Sequence, residues 1–188
     1  MLQKKLILAS KSPRRKQLLE MAGIPFDIKT KEVDEDYPAD MPVLDVAPHL
    51  AQKKARACRD FIQTDEILLA ADSVVIQGDT IYGKPTDAAD ARRIIGELSG
   101  KMHLVITGVC LLSAEKEKVF AGKAKVYFEE ISAAEIAYYV EKYEPFDKAG
   151  AYAIQEWIGL CKINRIEGTY SNIMGLPMEL VYKELMAF

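Results

Sequence analysis

The spacing of apolar and polar positions predicts strands and helices in alternation. A short apolar run at 5–9 reads as a strand. Ser12 and Pro13 then open a helix, the serine as cap and the proline as first residue, and Gly23 closes it. "FDIKT" alternates like a second strand and leads into the acidic loop "EVDEDYPADMP". From Val46 to Phe61 the spacing turns helical, with an apolar stripe of Ala47, Leu50, Ala51, Cys58 and Phe61. "EILLAADSVVI" is a strand that folds back through Gly78-Asp79. A helix over 87–98, long strands near 104–113 and 118–129, and a Ser132/Glu135 capping box for another helix follow. "YEPFDKAGAY" reads as irregular, "LCKINRIEG" as a short strand pair, and "GLPMELVYKELM" as a closing helix. The expected fold is α/β, with a mixed sheet flanked by helices in a single domain over 1–188.

Composition changes this picture little. The chain has 188 residues, 28% of them charged, and a net charge of −3. A broadly basic face for nucleic acid is therefore not expected. Cys58, Cys110 and Cys161 are odd in number and widely spaced, which predicts neither a disulfide framework nor a zinc site. The opening residues do not read as a secretion signal, and no apolar stretch approaches bilayer length, so a cytoplasmic protein without a membrane partner is expected.

Several residues stand where packing alone would not put them. Asp72 interrupts an apolar strand, so it either caps a turn or meets a cation. Lys54 lies on a helix stripe of small residues, where it either snorkels or faces a ligand. Lys11, Arg14, Arg15 and Lys16 crowd the start of the first helix, where the helix dipole disfavours cations. An anion bound at that end would offset them. Lys84 sits between Gly and Pro after a hairpin, as a turn lysine or a ligand contact. Cations at strand ends beside the acids Glu35 and Asp72 suit a polyphosphate carried by a metal ion. No P-loop is present. His49 and His103 read as surface or structural, and no Ser-His or Cys-His pair is evident.

"LASKSPRRKQLL", "AADSVV", "YGKP", "LSGKMHLVITGV", "EPFDKAGAYAIQ" and "GTYSNIMGLP", in that order, resemble the Maf family of nucleotide pyrophosphatases over nearly the whole chain. The resemblance implies hydrolysis of a nucleoside triphosphate to the monophosphate and pyrophosphate with a divalent cation, Mg²⁺ or Mn²⁺. It also implies an elongated fold similar to inosine triphosphate pyrophosphatases, a homodimer and a link to cell division. "DKAGAYAIQ" is closest to the subgroup acting on dTTP and UTP; alternatives are a 7-methyl-GTP or modified-nucleotide pyrophosphatase, or a non-catalytic regulator of division. Carried over, Asp72 is the proton acceptor and, with Glu35, a metal ligand. Lys54 and Lys84 meet phosphates; Ser10, Ser12, Arg14, Arg15, Ser73 and Gln155 bind substrate, with Gln155 reading the base. Ser73 stands where many members have Thr, and Ala153 where they have Gly.

Overall fold

The computed structural model describes residues 4–188. Its strands are β1 (Lys5–Leu8), β2 (Phe26–Ile28), β3 (Glu66–Gln77), β4 (Thr80–Tyr82), β5 (Met102–Leu112), β6 (Glu117–Phe128) and β7 (Ile163–Glu167). Its helices are α1 (Pro13–Met21), α2 (Val46–Ala57), α3 (Ala88–Leu98), α4 (Ala133–Tyr143), α5 (Trp157–Lys162), α6 (Tyr170–Met174) and α7 (Met178–Met186). The strands form one seven-stranded sheet in the order β2-β1-β3-β5-β6-β7, with β4 paired to β3 off this path. β1 runs parallel to β2 and β3, while β3–β4 and β6–β7 are antiparallel, so the sheet is mixed as expected.

The chain divides into two compact units. The first holds the chain up to Ser73, Thr107–Gly122 and Gly175–Phe188; the second holds Val74–Ile106 and Lys123–Met174. In the first, Ile7, Leu68, Ala70, Cys110 and Leu112 from the strands pack against Ala51, Ala55 and Cys58. The small residues on α2 matter, because its first turn lies directly on β5. A Cβ at Gly108 would stand 2.3 Å from the backbone of Ala47 and Pro48, so only glycine admits that approach. The second unit packs α3 and α4 through Ile94, Ile95, Leu98, Ile136, Tyr139 and Val140 onto Val105, Val126 and Phe128.

The boundaries differ from expectation notably at the second helix and at "LCKINRIEG". The second helix ends at Ala57 rather than Phe61; Cys58 donates to the Ala55 carbonyl, tightening the chain into a 3₁₀ turn over Arg59–Phe61. "LCKINRIEG" is not a strand pair: α5 runs to Lys162 and a single strand, β7, follows, paired to β6 from Phe128↔Ile163 to Lys125↔Glu167. α5 has six residues, too few for a helical period to show in the sequence, and α6 has five. The capping box forms as expected, with Ser132 accepting from the Glu135 amide and Glu135 reaching back to the Ser132 amide.

Candidate active site

In the first unit the candidate residues gather on two cations. Lys54, on α2, donates to Glu35 and to Asp72, each at 2.8 Å. Glu35 comes from the acidic loop and Asp72 from the middle of β3, where it and Ser73 are the only interior residues of the strand not fully buried. The other oxygen of Asp72 accepts the amide N–H of Ser73 at 2.8 Å. The acidic loop is held to α2 by consecutive pairs, Asp36 on Lys53 and Glu35 on Lys54.

Arg15 is the second focus. Its Nε donates to the Gly175 carbonyl at 3.0 Å; Nη1 donates to the Ala71 carbonyl at 2.8 Å and to Ser10 Oγ at 3.2 Å; Nη2 donates to Ser73 Oγ at 3.2 Å. One guanidinium thus joins the end of β1, the centre of β3 and the turn before α7. Burial pulls its pKa below the usual arginine value, while the negative charge of Asp72 opposes that fall. Ser73 Oγ also bonds Thr107 Oγ1 at 2.9 Å. Thr107, fully buried, was not among the sequence candidates; a threonine inside the apolar run of β5 was the available signal.

Ser12 sits at the cap position of α1 but makes no side-chain cap bond; instead its N–H donates to Ser10 Oγ at 3.2 Å. The crowded cations there have protein partners: Lys11 pairs with Glu32 at 3.5 Å and Lys16 with Glu20 at 3.6 Å. Arg14 lies half-buried on the first turn of α1.

In the second unit, Lys84 is exposed in the turn after β4. The preceding carbonyl, of Gly83, accepts the Gly150 amide at 3.0 Å, which ties the Lys84 turn to the "DKAGAYAIQ" segment. Gly150 has φ +71°, and a Cβ there would meet Val75 at 2.8 Å, so this junction requires glycine. Gln155 lies on the same segment, with its side-chain oxygen buried and unpartnered by protein. His103 is fully buried, its Nε2 2.8 Å from the Tyr152 hydroxyl, and burial lowers its pKa to about 4. It is structural, as one of the two sequence readings had it.

The donor set fits a hard divalent cation. Two carboxylates converge on one positive charge, the Lys54 ammonium. Magnesium is ordinarily held by one or two carboxylates, with water and substrate phosphates completing its shell. Among the described residues no cluster of three or more His, Cys, Asp or Glu side chains could cage an ion. Also among them, no helix is long and apolar enough to cross a membrane.

A mixed sheet flanked by helices defines an α/β protein, and its Lys54 meets two carboxylates beside the interior of β3. A solved structure of the Ham1 protein of Staphylococcus aureus shares this fold, with a TM-score of 0.58 over 98% of this chain and 99% of that one at 14% identity. The family described as Maf-like protein matches residues 5–188, and the chain belongs to it. A Bacteroides thetaiotaomicron protein is 44% identical over 96% of this chain and 94% of its own length. A Porphyromonas gingivalis protein is 46% identical over 98% and 94%. Both relatives are called dTTP/UTP pyrophosphatase.

Proposed function

We propose that this chain hydrolyses nucleoside triphosphates, dTTP and UTP foremost, to the monophosphate and pyrophosphate. The observation that carries the reading is Lys54 held at 2.8 Å by both Glu35 and Asp72, in a chain whose relatives bear that activity in their names.

In this reading Asp72 accepts a proton from the attacking water, with one carboxylate oxygen steadied by the Ser73 amide. The water oxygen bonds to the α-phosphorus, and the bond from that phosphorus to the α–β bridging oxygen breaks, releasing pyrophosphate. Lys54 offsets charge that develops on the phosphates. Glu35 and Asp72 would hold Mg²⁺ or Mn²⁺, which when bound polarises the phosphate and lowers the pKa of nearby water. Arg15 keeps Ser10, Ser73 and the Ala71 peptide in place through its four hydrogen bonds. Ser12 and Arg14 are assigned to substrate at the start of α1. In the second unit, Lys84 is assigned to phosphate and Gln155 to the base.

The test is pyrophosphate release over a panel of dTTP, UTP, dCTP, dGTP and 7-methyl-GTP with Mg²⁺. Fastest turnover of dTTP and UTP supports the reading. Preference for 7-methyl-GTP overturns the substrate, and tight binding without turnover overturns the reaction.

A further inference from the structure

We propose that Tyr139 is a positioning residue for base selection, holding both ends of the turn that carries Gln155; this rests on the assignment of Gln155 to the base. The turn spans 153–156 and is closed by the Glu156 amide donating to the Ala153 carbonyl at 3.1 Å. Ile154 and Gln155 are its two corner residues. Ile154 is buried, which fixes one corner in the core. The other corner presents Gln155.

Tyr139 lies on α4, fully buried, and its phenol oxygen meets the turn twice. It accepts the Ala153 N–H, which opens the turn, at 3.1 Å. It donates its own proton to the carboxylate of Glu156, which ends the turn. A phenol has one hydrogen and acceptor lone pairs, so both bonds form together. Burial and the Glu156 carboxylate push the Tyr139 pKa far above its ordinary value, so the hydroxyl stays a donor. The second oxygen of Glu156 faces Lys148 at 3.5 Å, and Lys148 also reaches Asp147 at 2.7 Å. Lys148 is itself buried, so the far side of the carboxylate is fixed too.

This matters because the Gln155 side-chain oxygen is buried with no protein donor. A buried acceptor left unpaired is costly, and a ligand N–H would satisfy it. Thymine and uracil carry a donor at N3, whereas cytosine presents an acceptor there. With its oxygen turned to the base, Gln155 favours the first two over cytosine, and the turn sets where that oxygen can reach.

The experiment measures kcat and KM for dTTP and dCTP in Tyr139→Phe, Gln155→Ala, the double variant and Glu156→Gln. Tyr139→Phe should cut the dTTP/dCTP ratio of kcat/KM by about tenfold, mainly through a higher KM for dTTP, with kcat within about twofold. In the Gln155→Ala background it should change the ratio no further. Glu156→Gln should give a smaller drop in the same direction, and it decides the matter if Tyr139→Phe does not fold. If Gln155→Ala lowers the ratio but folded Tyr139→Phe, or in its place Glu156→Gln, slows both nucleotides equally, positioning is overturned and the base-reading role stands. A Gln155→Ala ratio equal to wild type overturns that role, and the positioning proposal with it.

Discussion

Two lysines in this molecule are each shared between two carboxylates, in different surroundings. Lys54 lies 2.8 Å from both Glu35 and Asp72, acids that come from a loop and a distant strand. Lys148 lies 2.7 Å from its chain neighbour Asp147 and 3.5 Å from Glu156. Glu156 is further committed to Tyr139, a fully buried phenol. Asp72 accepts, beyond Lys54, from the adjacent Ser73 amide, and the Glu35 side chain is 46% exposed. The acids on Lys54 meet from separate elements, and one of them is half-exposed. Around Lys148, a buried tyrosine shares the Glu156 carboxylate and also accepts from the turn that precedes it.

The largest expected effect breaks the Lys54 side of this contrast. Asp72→Asn keeps the carboxylate shape but not its basicity, so turnover should fall by about 10²–10⁴ with an unchanged melting temperature. Glu156→Gln should leave kcat on dTTP within about threefold, since it alters a support and not a base. Equal losses in the two variants, measured by pyrophosphate release, would abolish the distinction. Chelation by EDTA should stop release and added Mg²⁺ restore it. Persistent turnover in EDTA would mean that Glu35 and Asp72 serve Lys54 alone.

The next effect concerns the support beneath Asp72. Arg15→Lys keeps one charge but cannot bond Gly175, Ala71, Ser10 and Ser73 together. At least one buried carbonyl loses its donor, so urea unfolding should show a loss of about 1–3 kcal/mol. A loss under about 0.5 kcal/mol, typical of an exposed position, would show the guanidinium to be idle in the fold.

Much of this contrast was legible in the sequence on one side and not on the other. Asp72 is visible because an acid inside "ILLAADSVVI" breaks an apolar run, and Lys54 because it falls on a stripe of small and apolar residues. Each violates its own local pattern. Tyr139 violates nothing: an aromatic on an amphipathic helix reads as core, which it is. Glu156 reads as an ordinary polar residue. Their meeting depends on α4 lying against the "AGAYAIQ" turn, which is tertiary information with no periodic trace. The same reasoning explains the fold. The long strands β3 and β5, apolar throughout, and β6, which alternates, are legible in the sequence, while five- and six-residue helices are not.

A smaller effect probes the second unit's buried polar groups. His103 is held neutral by burial, its pKa lowered to about 4 from 6.5. The unfolded chain binds this proton first, so stability falls as pH drops from 6.5 toward 4 and levels off below. The contribution is at most about 3 kcal/mol. His103→Gln keeps a partner for the Tyr152 hydroxyl and removes the titration, so its unfolding free energy should vary less over that window. An identical pH slope in the two proteins would place the acid sensitivity elsewhere.

The smallest effect lies at the surface of the same unit, where charge is satisfied by solvent as well as by protein. Glu135 accepts from the Ser132 amide at 2.8 Å, the Ser132 hydroxyl at 2.9 Å and Lys162 at 2.6 Å. Lys162 first, then the Ser132 donors, hold its pKa down to about 2. The sign is opposite in origin to that of His103 but the same in direction. A depressed carboxyl stabilises fully above its ordinary value of 4.5 and loses that contribution as pH falls through about 2. Glu135→Gln keeps an acceptor for the cap and discards the charge. Its melting temperature should therefore sit slightly below wild type at pH 7, and the gap should narrow as pH falls below 4.5. A gap that stays constant with pH would assign the role of Glu135 to cap geometry, and the ion pair with Lys162 would then add nothing, as is common for exposed pairs.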